Sequence, residues 1–155
     1  MAGLYGVATS IENALAAATV KTVLQLIVPA NHRVKVLGWG VFFDGVNTAG
    51  EPVQVRVLRQ TTAGVSLVAA SIVKTVPCTE TLQTTATMGA VGAQTEPTAG
   101  DVLDVIECHP QQGYEVKFPM GQELIIGNSA GITYLGIDCT APAIVNVRAK
   151  FFFEE

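Results

Sequence analysis

Five consecutive residues of this chain read as a catalytic string: Gly127-Asn-Ser129-Ala-Gly131 fits GxSxG, the nucleophile elbow of serine hydrolases. An elbow needs strand, sharp turn and helix, with the acid and the His following the Ser in the chain. Here Ser129 is followed by Ile-Thr-Tyr-Leu-Gly-Ile, a strand pattern, and no His lies downstream. The string therefore reads as a glycine-bounded hairpin turn. His32 and His109 are the only histidines, too few for a cupin-type metal site, which needs several together with a carboxylate. Asp101, Asp104, Glu107 and His109 resemble a ligand cluster, but on a strand Asp104 points away from Glu107 and His109. They read as a solvated acidic strand end; a metal held there would be an oxygen-ligated calcium at a loop. His32 beside Arg33 and Lys35 reads as a charged strand start, and no glycine-rich phosphate loop with a Lys is present. Trp39, between Gly38 and Gly40, has the side chain to stack on a sugar, yet it fits better as a core Trp whose glycines make room for a facing sheet. Cys78, Cys108 and Cys139 form no CxxC pair and are odd in number, so they read as reduced, buried and small. No catalytic nucleophile, cofactor or required metal is expected.

The elements that would position these residues are strands. In Val53-Gln-Val-Arg-Val the valines share one face, with Gln54 and Arg56 on the other. Tyr114, Val116 and Phe118 alternate with Glu115 and Lys117, and Val145, Val147, Ala149, Phe151 and Phe153 repeat the pattern near the C-terminus. With the runs near 20–28, 33–43, 65–76, 102–108, 123–127 and 132–138, about nine strands result, separated by turn chemistry such as Asp44-Gly45 and Gln111-Gln-Gly113. Such spacing without helical patterns predicts a sandwich or barrel. Residues 1–19 are Ala-rich, and Ser10 is placed to cap a short helix over 11–18, so this segment is expected to be an arm that orders against a neighbour. Residues 79–100, rich in Thr, Ala and Gly, are expected to be a weak strand with two loops or a long exposed excursion.

Hydrophobic residues make up 49% of the 155 and charged residues only 14%, which excludes disorder. A net charge of −4 with nine Lys and Arg argues against nucleic acid as a partner. Apolar runs such as Leu67 to Ala70 and Leu124 to Ile126 are far shorter than a bilayer span, so no membrane partner is expected, and the N-terminus lacks the basic region of a cleaved leader. The apolar surplus is two-sided: Leu24 and Leu26 on one face, Val23 and Ile27 on the other, and again at Leu67 to Ala70, Leu124 to Ile126 and Phe151 to Phe153. Either these strands are central in a closed structure or other chains cover their second faces, and with so few charges the second is preferred.

The layout as a whole resembles a known family. The Ala-rich arm, then Leu26-Ile-Val-Pro-Ala-Asn-His-Arg-Val-Lys-Val-Leu-Gly-Trp-Gly, then Pro52-Val-Gln-Val-Arg-Val-Leu-Arg-Gln, and a last strand Val145 to Phe153 are similar to the small jelly-roll capsid decoration (cement) proteins of tailed bacteriophages. The resemblance implies an antiparallel, jelly-roll-like β-sandwich of about eight or nine strands over 20–155 with an arm over 1–19. It implies a structural virion protein without enzymatic activity, made in the bacterial cytoplasm and carried on the outer capsid surface. There it would act as a homotrimer that bridges subunits of the major capsid protein. Leu4, Tyr5, Ile11 and Leu15 of the arm, with Thr84, Thr85 and Met88, are the expected contacts. Deleting residues 2–18 should then leave the β-domain folded. The alternative is a carbohydrate- or receptor-binding module of a phage fibre, with Trp39, Tyr114 or Tyr134 as stacking platform.

Overall fold

The computed structural model describes residues 3–46, 50–76, 79, 81–127 and 133–155. Thirteen strands follow one another: β1 (Leu4–Ala8), β2 (Asn13–Leu15), β3 (Val20–Ile27), β4 (Arg33–Phe43), β5 (Val53–Gln60), β6 (Val68–Ala70), β7 (Ile72–Lys74), β8 (Thr85–Met88), β9 (Ala99–Cys108), β10 (Gly113–Lys117), β11 (Leu124–Gly127), β12 (Tyr134–Thr140) and β13 (Val145–Glu154). They form two antiparallel sheets, which is the β-sandwich expected from the period-two segments. The first runs β10-β4-β13-β1-β7, with β11 also on β4 and β2 also on β13; the second runs β6-β8-β3-β12-β5-β9. The chain passes from one sheet edge to the other twice, from β6 to β7 through Ser71 and from β9 to β10 through residues 109–112.

All nine runs foreseen from the sequence are strands. The count rises to thirteen because 65–76 splits into β6 and β7 in opposite sheets, β8 forms within 79–100, and β1 and β2 form within 1–19. The last point corrects the arm. No helix forms over 11–18; instead β1 lies between β13 and β7, from Leu4 opposite Glu154 to Ala8 opposite Lys150, and β2 pairs with Val145–Val147. A two-turn helix is marginal alone, whereas an extended segment beside β13 satisfies its backbone and buries Tyr5, Val7 and Leu15 at once. The Tyr5 ring stacks on Phe153 with centroids 5.5 Å apart.

The core between the sheets is aliphatic and aromatic, with Val34, Val36, Trp39, Val41, Phe151 and Phe153 facing Leu24, Leu26, Val55, Val57, Leu135 and Ile137. Trp39 is fully buried and packs on Tyr114 at 5.3 Å. Its flanking glycines serve the opposite face from the one expected. A Cβ at Gly40 would meet Cε of Lys150 and the Tyr114 carbonyl, so the small residues admit side chains on the outer face of the first sheet rather than the facing sheet. There Lys150 pairs with Glu115 and lies over the rings of Phe42 and Phe152, and Lys117 lies over Phe152. The two-sided apolar pattern at Phe151 to Phe153 is thus covered by lysine stems of the same chain.

Cys139 is fully buried and Cys108 nearly so; Cys78 lies outside the described residues. Burial pushes both thiols above the ordinary cysteine range, Cys139 the further. In the unfolded chain a thiol ionises near pH 8.5, so the stability these buried thiols contribute is complete below that pH and is lost as pH rises above it, by up to about 1.4 kcal/mol per pH unit for each thiol. Urea unfolding should therefore show stability falling above about pH 8.5, and Cys139→Ala should flatten that fall. A thiol reagent should reach Cys139 only after unfolding.

Candidate interaction surface

The outer face of the second sheet carries a closed polar network. Gln25, fully buried, donates through Nε2 to Gln60 Oε1 at 2.6 Å and to the Thr62 carbonyl at 3.1 Å, and its Oε1 accepts the Gly64 N–H. Gln60 donates onward to Thr22 Oγ1. A Cβ at Gly136 would run into the Gln60 side chain, so glycine there makes room for it. Beside this network Arg56 grips Asp138 in a two-pronged pair, Nε to Oδ1 at 2.9 Å and Nη2 to Oδ2 at 2.6 Å, which raises the guanidinium pKa further.

These bonds pin the chain after β5 against the sheet. The segment after β8 is held in the same way: Glu96 accepts the Thr22 N–H, Gln94 donates to the Thr22 carbonyl and to Glu96, and Val65 bridges Thr95. Both faces of β3 are buried by this one chain, so the two-sided pattern at Leu24 to Ile27 does not call for a second one. Of the two expectations for residues 79–100, a weak strand with two loops or a long exposed excursion, the first describes the segment, which supplies β8 and this cover. Lys21 is held by the carbonyls of Ala14 and Ala90; burial lowers its pKa, against the opposing charge of Glu96.

The sequence-derived contact residues fall mostly inside the domain. Tyr5, Leu15, Thr84 and Met88 are buried, and Leu4 and Ile11 are half-buried, with Ile11 packed against the core. Thr85 is exposed. The Glu155 carboxylate accepts the N–H groups of Gln83 and Thr84, which fixes that loop against the end of β13. In this folded domain the four buried side chains have no surface to offer a partner.

Two strongly exposed aliphatics stand at the end of the sandwich where β4, β9 and β12 finish. Val46 is 91% and Ile144 80% exposed, and they flank a shallow hollow of about 130 Å³ lined also by Glu51, Pro110, Pro142 and Ala143. Alternation could not single them out, because they stand in turn segments; a lone aliphatic residue inside a turn was the available signal. Ser129 lies outside the described residues, but the chain resumes as strand β12 rather than a helix. Gly127 before it sits at φ +91°, where a Cβ would also collide with the His32 carbonyl oxygen. Among the described residues, no three His, Cys, Asp or Glu side chains come together as metal ligands, and no helix is long and apolar enough to cross a membrane. Asp101 pairs with Arg59 at 3.7 Å.

Fold and surface together define an antiparallel two-sheet sandwich with a solid core and an aliphatic loop end. Compared with protein-family models, with curated proteins and with solved structures, the chain matches none of them.

Proposed function

We propose that this chain is a structural virion protein of a tailed bacteriophage, which attaches to the outside of the capsid as a homotrimer and bridges subunits of the major capsid protein. The resemblance in layout supplies the family. The observation that carries the binding role is the aliphatic loop end, where Val46 and Ile144, both almost wholly in water, flank one hollow, whereas Met120, Val91 and Val73 are exposed at other places on the domain. Each such residue contributes roughly 1.5–3 kcal/mol if buried by a partner, and a trimer multiplies weak contacts into durable attachment. Contact thus shifts from residues 1–19 to the loops at this end. The stacking platform of the carbohydrate reading loses Trp39, which is fully buried, and Tyr114 and Tyr134 are half-buried.

Sedimentation of the purified protein should report about three times the 16.2 kDa chain mass; a stable monomer at micromolar concentration would remove the trimer. Cosedimentation with capsids stripped of the protein should show binding that Val46→Asp and Ile144→Asp each weaken about tenfold or more. Thermal stability should stay within about 0.5 kcal/mol, since both sites are exposed. Unchanged capsid affinity in both variants would move the contact elsewhere.

A further inference from the structure

Six strands lie at the edges of the two sheets. β2, β6 and β7 have three residues each, β11 has four and β10 five, but β9 has ten, and its outer side faces no strand among the described residues. Its first half is irregular, with register shifts opposite Val57/Leu58 and Leu58/Gln60, while Asp104–Cys108 pairs with Val53–Val57 without a break. The unbroken half therefore offers a row of backbone N–H and C=O groups in regular strand geometry, which is the template for adding another strand.

The side chains along this edge say what would add. β9 carries Asp101, Asp104 and Glu107 and no Lys or Arg. The two arginines of neighbouring β5 are engaged, Arg56 by Asp138 and Arg59 by Asp101. Asp104 and Glu107 make no ion pair among the described residues; Glu107 only accepts a 3.4 Å bond from the Gln54 amide. Val105, half exposed, shares the face of Glu107, opposite Arg56, while Asp104 lies on the other face, opposite Val57. A second copy of β9 would set carboxylates against carboxylates, so self-pairing at this edge is disfavoured.

We propose that the edge of β9 from Asp104 to Cys108 accepts an extended, basic polypeptide segment of a partner protein as an added β-strand. Backbone hydrogen bonds would supply the docking, and Lys or Arg opposite Asp104 and Glu107, with an aliphatic residue against Val105, the selectivity. This deepens the capsid-binding reading by naming the chemistry of the segment a shell subunit would present.

The test uses the full chain and two fluorescent nonapeptides, one of Lys and Val and the other of Glu and Val, each with its charges three residues apart (Lys-Val-Val-Lys or Glu-Val-Val-Glu) so that they fall opposite Asp104 and Glu107 on the two faces of the strand. The Lys/Val peptide should bind with an affinity that falls as salt rises, and should slow hydrogen exchange of amides within 104–108. In Asp104→Lys/Glu107→Lys, whose thermal midpoint serves as the folding control, its affinity should drop about tenfold or more while the Glu/Val peptide gains. Should that variant unfold, the exchange footprint on the unmodified chain decides alone. Absence of saturable binding at millimolar peptide, protection at another edge, or equal affinity for both peptides would overturn the proposal. No shell is present, so that failure leaves capsid attachment to be judged by cosedimentation.

Discussion

Deletion of residues 2–18 is expected to leave no folded domain. The deletion removes β1 from between β13 and β7 and takes β2 off β13. It strips Tyr5, Val7 and Leu15 from the core, each buried to 3% exposure or less. Burial of three such side chains contributes roughly 5–9 kcal/mol, as much as the entire net stability of many domains. Strand β7 would lose the one sheet neighbour it has among the described residues, and Phe151 and Phe153 would face water. Far-UV circular dichroism of the truncated chain should show the β signal lost, with Tyr5→Ala, costing about 3–5 kcal/mol by urea unfolding, as the graded version. A truncated chain that keeps its β spectrum and a cooperative transition would contradict this placement of β1.

Asp138→Ala is the second substitution with a large expected effect, about 3 kcal/mol of lost stability. Asp138 sits at the centre of the second sheet with its side chain 4% exposed, and Arg56 is positioned by it on the adjacent strand. Removing the carboxylate leaves a guanidinium in a site built for a pair. Most of the loss is the cost of that unpaired charge, so Arg56→Met/Asp138→Leu should recover much of it. Urea unfolding of the two variants decides the matter: a double variant no more stable than Asp138→Ala would show that the pair is stabilising in itself.

The sandwich class was legible because period two is a local property. Val53, Val55 and Val57, or Val145 through Phe153, announce a strand with one buried face whatever partner they meet. The reading of Trp39 as core rests on equally local chemistry, the bulk of its side chain.

What covers a second face is not local. The pattern at Leu24 to Ile27 is the same whether another chain or the chain's own loops lie above it, and here Gln25 and Gln60 hold residues 61–64 in place from positions 35 apart in sequence. The same holds for Phe152, covered by Lys117 and Lys150, and for β1, whose alternation is only five residues long and whose pairing with β13 spans almost the whole chain. Sequence alone therefore determined nine runs that form strands and which side chains are apolar, but not β1 and β2. Tertiary structure decided that Tyr5 and Leu15 are core rather than contact, and that Val46, Ile144 and the edge of β9 remain open, because burial depends on neighbours that only the folded chain brings together.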